Sequence, residues 1–208
     1  MGYIVDISSN NIHPINFKAL KRDGCIGVVI KATEGNGYVN PFYASDKKAC
    51  IAAGLPCIAY HWAKWTDPVV EANFFRRNAG EGFARVLDVE GVQNQQWCTA
   101  FFNALNSVNN TPFNRMIYGG KTAITPPVPA LKWVADYDQN TGKPGVYPGI
   151  GVCWQYTSMG HVNGIGGRVD MSKWMGTQRQ FVDVFGVKAP SQVLPIVRKV
   201  IKKILKKP

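Results

Sequence analysis

The sequence lacks any long apolar run. No stretch approaches the roughly 20 uninterrupted apolar residues that a transmembrane helix needs. The first residues also lack the charged segment followed by an apolar segment that marks a secretory signal peptide. We therefore expect synthesis in a bacterial cytoplasm without a signal peptide.

Disulfide and metal-site patterns are missing as well. The cysteines are odd in number and scattered through apolar segments: Cys25, Cys50, Cys57, Cys98 and Cys153. Neither they nor the three histidines fall at the spacing of metal ligands. The sequence predicts buried free thiols, no metal and no cofactor.

Acidic residues are scarce: 13 stand against 24 lysines and arginines, so the 208 residues carry a net charge of +11. Such an excess favours an anionic partner. Six of the cations lie near the C-terminus, where apolar residues form one helical stripe between them: Arg198, Lys199, Lys202, Lys203, Lys206 and Lys207. We predict a catalytic domain over 1–187 and a basic amphipathic helix over 188–208 that binds an anionic envelope or membrane surface.

Two alternatives for this tail follow from its composition. It can dock on the domain with its lysines in water, or it can bind nucleic acid. No aromatic residue lies between the basic ones, and nucleic-acid binding is therefore not expected.

Short β-rich segments recur along the first 175 residues. They predict about eight strands, over 3–8, 27–33, 56–62, 84–90, 115–119, 131–137, 151–157 and 168–172. Helical periodicity lies between the early ones, over 17–22, 42–53, 69–78 and 95–108, and again over 177–185. Later gaps, rich in Pro and Gly, predict loops over 121–130, 138–150 and 158–167. This order indicates an irregular TIM-like α/β barrel, with an open doubly wound sheet as the alternative.

Acidic residues follow several of these strands. Asp6 ends the first, Glu34 follows the second, and Asp88 and Glu90 end the fourth. The connection before the last strand is short enough for a hairpin, which would make that strand antiparallel and bring Asp170 to the same mouth. Clustered carboxylates raise one another's pKa, as glycoside hydrolysis requires, whereas a hydrated cation site is the alternative.

Aromatic residues recur near the same strand ends: Tyr60, Trp62, Trp65, Tyr118, Trp133, Tyr137, Trp154 and Tyr156. Flat rings pack against the apolar faces of sugars. Core packing is the competing interpretation for each ring taken alone.

Ordered motifs across residues 3 to 175 resemble glycoside hydrolase family 25, the Chalaropsis-type lysozymes, many of them phage endolysins. The motifs are Asp6-Ile7-Ser8, Lys31-Ala32-Thr33-Glu34-Gly35, Ala59-Tyr60-His61, Leu87-Asp88-Val89-Glu90, Trp154-Gln155-Tyr156-Thr157-Ser158 and Val169-Asp170-Met171. The resemblance implies five β/α units followed by three strands. It also implies hydrolysis of the β-1,4 bond between N-acetylmuramic acid and N-acetylglucosamine in peptidoglycan, after release from the host cell through holins.

The resemblance also implies roles for residues. Glu90 would be the general acid, Asp88 a stabiliser beside it, and Asp6 and Asp170 the rest of an acidic floor. The residues expected around the substrate are Tyr60, Trp62, Tyr118, Trp133, Tyr137, Gln155 and Glu34. A retaining, an inverting and a substrate-assisted mechanism all remain open, and we expect a monomer. The competing function is a non-catalytic envelope-binding or antimicrobial protein that acts through its tail.

Overall fold

The computed structural model of the chain describes residues 2–80, 82–90, 94–107, 110–137 and 140–186. The predicted tail helix, its six cations and the domain boundary at 187/188 lie outside these residues. Within the described ranges, no helix combines the length and the apolar character needed to cross a membrane.

In this part of the chain, nine strands form one sheet. They are β1 (Tyr3–Ile7), β2 (Cys25–Glu34), β3 (Tyr38–Val39), β4 (Cys57–Trp62), β5 (Ala84–Asp88), β6 (Met116–Gly120), β7 (Leu131–Ala135), β8 (Cys153–Gly160) and β9 (Val169–Trp174). Pairing of β1 with both β9 and β2 closes all of them except β3 into a barrel. The TIM-like barrel is therefore confirmed, and the open sheet is excluded.

Strand β9 runs antiparallel to both of its neighbours, β8 and β1, as the short connection before it predicts. The other barrel pairs are parallel. Because β9 is inverted, its first residues lie at the same end of the barrel as the last residues of β1. This reversal brings Asp170 to the mouth.

Five helices follow barrel strands and one closes the described chain: α1 (Phe17–Arg22), α2 (Tyr43–Ala52), α3 (Pro68–Ala79), α4 (Gln95–Ala104), α5 (Lys121–Ile124) and α6 (Gln178–Phe185). The arrangement of five β/α units followed by three strands is confirmed. Several details differ from the sequence prediction. Strand β5 ends at Asp88 and not at Glu90, and β8 continues to Gly160, into a segment predicted as a loop. The segment 121–130, predicted as a loop, begins with the single turn of α5, and β3 forms a hairpin with the end of β2 that no alternation indicated.

Side-chain caps define where α3, α4 and α6 begin. Asp67 accepts hydrogen bonds from the backbone N–H groups of Val69 and Val70, and Pro68 occupies the first turn. Asn94 caps α4 in the same way, and Thr177 forms a capping box with Gln180 at α6. Each such cap stabilises its helix by about 1 kcal/mol.

The core has two layers separated by the barrel wall. Outward side chains of the strands pack against the helices, and inward ones form a second apolar cluster inside the barrel. All five cysteines are buried and unpaired, as predicted.

Candidate active site

The alternation of the strands places a polar layer directly above the apolar interior. The inward apolar floor includes Ile4, Val29, Ile58, Val86, Met116 and Cys153. Two residues further along each of these strands stands a polar or phenolic residue on the same face. We call these residues, with Asp170 of β9, the inner ring: Asp6, Lys31, Tyr60, Asp88, Tyr118, Gln155 and Asp170. The ring lies at the carboxyl ends of the parallel strands, which is where active sites of this fold form.

A depression opens at this ring. Its lining combines two carboxylates with aromatic and apolar side chains: Asp6, Tyr60, Val86, Asp88, Tyr118 and Trp133. The structure thus brings together acids and rings that stand more than 120 residues apart in the sequence.

Asp6 and Asp170 face each other directly across the β1–β9 pair. Burial, followed by the charge of Asp170, raises the pKa of Asp6 well above its ordinary value. Burial, followed by the charge of Glu90, raises the pKa of Asp170 to about 6. This pair therefore holds protons at a higher pH than isolated aspartates do.

Asp88 is the last residue of β5, and Glu90 follows it by two positions. Asp88 is buried, and its Oδ1 accepts no hydrogen bond from the described residues. Burial, with the neighbouring charge of Glu90, raises the pKa of Asp88 well above its ordinary value. Glu90 is exposed at the mouth, yet partial burial of its carboxyl still raises its pKa.

The segment carrying Glu90 is held against β6. The N–H of Val89 donates to the carbonyl oxygen of Tyr118 at 2.9 Å. A Cβ atom at Gly119 would stand 2.5 Å from the carbonyl oxygen of Val89, so only glycine permits this close approach.

Gln155 forms a hydrogen-bonding hub in the ring. Its Nε2 donates to Asp6 Oδ2 at 2.9 Å, and its Oε1 accepts from the hydroxyls of Tyr118 and Tyr137, both at 2.6 Å. The hydrogen bond to Asp6 opposes the rise in that carboxyl's pKa. Gln155 is only 1% exposed, so its amide fixes Asp6 and the two phenols rather than standing open at the mouth.

Trp133 is buried at the wall of the depression. Its Nε1 donates to Ser172 Oγ at 3.1 Å, and its ring meets Tyr118 edge-on with centroids 4.7 Å apart. These contacts fix the orientation of Tyr118, and with it one wall of the depression.

Glu34 is engaged by two cations. Lys31 Nζ lies 2.6 Å from its Oε2, and Lys64 Nζ lies 2.8 Å from its Oε1. Burial opposes ionisation of Glu34, but the hydrogen bonds from these lysines lower its pKa below the ordinary value. Glu34 is therefore a fixed anion with no proton to donate.

Lys31 is the site residue that sequence reasoning missed. It is 9% exposed, and its ammonium lies 4.7 Å from the centroid of the Trp62 ring. The signal was available in the sequence, since Lys31 follows the buried Val29 by two positions and so shares its inward face.

A buried chain of hydrogen bonds supports the turn after β4. Thr33 Oγ1 lies 2.8 Å from His61 Nδ1, and His61 Nε2 lies 2.9 Å from Glu71 Oε2. Burial lowers the pKa of His61, so the ring is neutral at pH 7 and donates its Nε2–H to Glu71. Glu71 also accepts from the N–H groups of Lys64 and Thr66 and from the Thr66 hydroxyl.

Within the described ranges, no cluster of three or more His, Cys, Asp or Glu side chains could hold a metal ion. The carboxylates of the inner ring lie instead beside the ammonium of Lys31 and the amide of Gln155.

Comparison with known proteins agrees with this geometry. The family profile described as "Glycosyl hydrolases family 25" matches residues 5–165. The autolytic lysozyme of Clostridium acetobutylicum is 29% identical over 171 residues, and lysozyme M1 of Streptomyces globisporus is 26% identical over 198 residues. These alignments cover 77% and 78% of this chain but only 52% and 64% of the two lysozymes.

Among solved structures, the chain is similar to the catalytic domain of endolysin ply40 from bacteriophage P40 of Listeria monocytogenes. The TM-score is 0.76 at 26% identity, covering 90% of this chain and 98% of that domain. Because the family profile spans most of the barrel, the chain belongs to glycosyl hydrolases family 25.

Proposed function

We propose that this chain is a muramidase that hydrolyses the β-1,4 bond between N-acetylmuramic acid and N-acetylglucosamine in peptidoglycan. The observation that carries the proposal is the acidic cluster of the inner ring, with Asp6, Asp88 and Asp170 seated on an apolar floor and Glu90 exposed above them. The lysozymes to which the chain is similar support the same class of substrate.

Glu90 is the proposed general acid. Burial raises the pKa of both Asp88 and Glu90, and this favours retention of a proton by the pair. Of the two, Glu90 alone is exposed and can reach a glycosidic oxygen. A bound sugar excludes water from Glu90, which raises its pKa further and favours the proton on that residue.

Asp88, Asp6 and Asp170 then supply negative charge beneath the sugar ring. Glycoside hydrolysis passes through an oxocarbenium-like transition state, which nearby carboxylates stabilise. Gln155 keeps Asp6 oriented, since it donates to one carboxyl oxygen. Tyr60 and Tyr118 line the depression where the sugar would sit.

The proposed site of action is the bacterial cell wall. The net charge of +11 favours adsorption to an anionic envelope, and the basic segment 188–208 is its proposed contact. Similarity to a phage endolysin domain is consistent with a chain made in the host cell and released at lysis.

The test is mass spectrometry of borohydride-reduced fragments that the wild type and Glu90→Gln release from purified peptidoglycan. We expect reduced muramic acid at the new ends, with a rate about 10²- to 10⁴-fold lower for Glu90→Gln. Asp183→Asn on α6, a partly exposed acid paired with Arg179, is the control and should retain the full rate.

Each other outcome has a distinct meaning. Reduced glucosamine ends would make the chain a glucosaminidase. Absence of release by the wild type would favour the competing function of a binding or antimicrobial protein. Proton NMR of the first product also reads the anomer, which separates an inverting mechanism from a retaining or substrate-assisted one.

A further inference from the structure

The inner ring contains one cation among its carboxylates, phenols and amide. Lys31 stands on β2 in register with Tyr60 of β4, and the next inward residue of β4, Trp62, is in register with Asp88 of β5. The ammonium of Lys31 lies over the Trp62 ring. The side chain of Lys31 therefore extends across β4, and its positive charge lies on the side of Asp88 and Glu90 at the end of β5.

The surroundings of Lys31 hold that charge in place. Its ammonium is tied to Glu34 at 2.6 Å and lies 5.5 Å from the centroid of the Tyr38 ring on the β2–β3 hairpin. A buried ammonium requires such a partner. Glu34 also pairs with Lys64, so its negative charge is shared between two cations.

We propose that Lys31 is a positioning residue of the reaction, whose tethered ammonium sets the pH range over which the Asp88/Glu90 pair holds a single proton. The proposal rests on the proposed muramidase function. One proton is the state that hydrolysis requires, because the pair must offer an acid and keep a negative charge at the same time.

The electrostatics of the site agree with this role. Burial raises the pKa of both Asp88 and Glu90, and Lys31 lowers both. The other charged groups that act on Asp88 are Glu90, Asp170 and Glu34. Asp6 lies across the ring, and the phenols of Tyr60, Tyr118 and Tyr137 are the further titratable groups that face the pair.

The two partners of the ion pair should shift the pH profile in opposite directions. Lys31→Met removes the cation, so the acid and basic limbs of kcat/KM should both rise, by about one pH unit. Glu34→Gln removes an anion but leaves Lys31 charged, so both limbs should fall. Lys31→Arg retains the charge and should restore limbs close to those of the wild type.

Lys64→Met is the matched control. This lysine contacts the same glutamate, but its side chain is 56% exposed, and water screens its charge. Its limbs should move by no more than a few tenths of a pH unit. Glu34 keeps one lysine in either lysine variant, so neither leaves this partly buried carboxylate without a cation.

The measurement is the pH profile of hydrolysis, together with ¹³C NMR titration of the Asp and Glu carboxyl carbons in the full chain. The titration reads the ionisation of the pair without relying on activity. Shifts of opposite sign for Lys31→Met and Glu34→Gln, in both measurements, are the expected result. Limbs and titrations that stay at their wild-type positions, or that move in the same direction, would overturn the role of Lys31. A wild type that releases no fragments at any pH would overturn the muramidase function instead.

Discussion

Replacing Asp170 by Asn should stabilise the fold while it abolishes activity. Asp170 faces Asp6 across the β1–β9 pair, and burial raises its pKa to about 6. An unfolded aspartate titrates near 3.9, so the folded state disfavours the ionised form by roughly 2 pKa units, or about 3 kcal/mol at 1.36 kcal/mol per unit. Screening at the open mouth reduces this, and we expect a gain of about 1–3 kcal/mol at pH 7.5.

The gain should depend on pH in a defined direction. Because the folded-state pKa lies above the unfolded one, the folded state binds more protons between about pH 4 and pH 6. The cost of ionising Asp170 is therefore fully present above its folded-state pKa of about 6. It fades as the pH falls toward the unfolded value of about 3.9. The advantage of Asp170→Asn should vanish near pH 4.

Urea unfolding, followed by tryptophan fluorescence at pH 7.5 and pH 4.0, measures the gain in stability and its dependence on pH. Peptidoglycan hydrolysis is assayed in parallel. For a chain of this size the gain corresponds to a rise in Tm of about 3–10 °C. Asp183→Asn, in an exposed ion pair, should change stability by less than about 0.5 kcal/mol at neutral pH. Destabilisation at pH 7.5, or a gain of equal size at both pH values, would show that ionisation of Asp170 does not oppose folding.

Two further predictions concern the support of the site and the segment beyond it. Glu71→Gln places an amide N–H₂ against the N–H of Lys64 and removes the charge that His61 and Thr66 bind. The free energy of unfolding, measured with urea at pH 7.5, should therefore fall by about 2–4 kcal/mol. A loss below about 0.5 kcal/mol would show that the fold does not need this network. Deletion of residues 190–208 should leave the hydrolysis of purified peptidoglycan unchanged and weaken the lysis of whole cells at low salt. Equal lysis of whole cells by the full chain and the truncated chain would argue against an envelope-binding tail.

Much of the barrel could be predicted because its signals are local. The buried run Val28-Val29-Ile30 indicates a strand covered on both faces, and the short link before β9 indicates an antiparallel return. The short elements could not be predicted in this way. The two residues of β3 and the four of α5 are too few to show a period, and they form because β2 and β6 offer them a neighbour.

The same distinction between local signals and tertiary contacts applies to the active site. Strand ends predicted that Asp6, Asp88 and Asp170 would meet, since that requires only the direction of each strand. The contacts of Gln155 depend on which side chains β1, β6 and β8 bring within 3 Å of one another. Contacts of that precision join strands that are far apart in the sequence, so they arise from tertiary packing and not from a local pattern.

In the inner ring, the desolvation that serves the reaction costs stability. Behind the ring, the hydrogen bonds of a buried acid support both the site and the fold. The carboxyls of the inner ring lose water on burial, and this desolvation is the largest cause of the raised pKa of Asp88 and Asp170. The same desolvation costs folding free energy, so neutralising Asp170 should stabilise the protein. Glu71 is as deeply buried as Asp88, yet its hydrogen bonds hold its pKa below the ordinary value despite burial. Neutralising Glu71 should therefore destabilise the fold. The opposite signs expected for Asp170 and Glu71 follow from their hydrogen-bond partners, since Glu71 is the more deeply buried of the two.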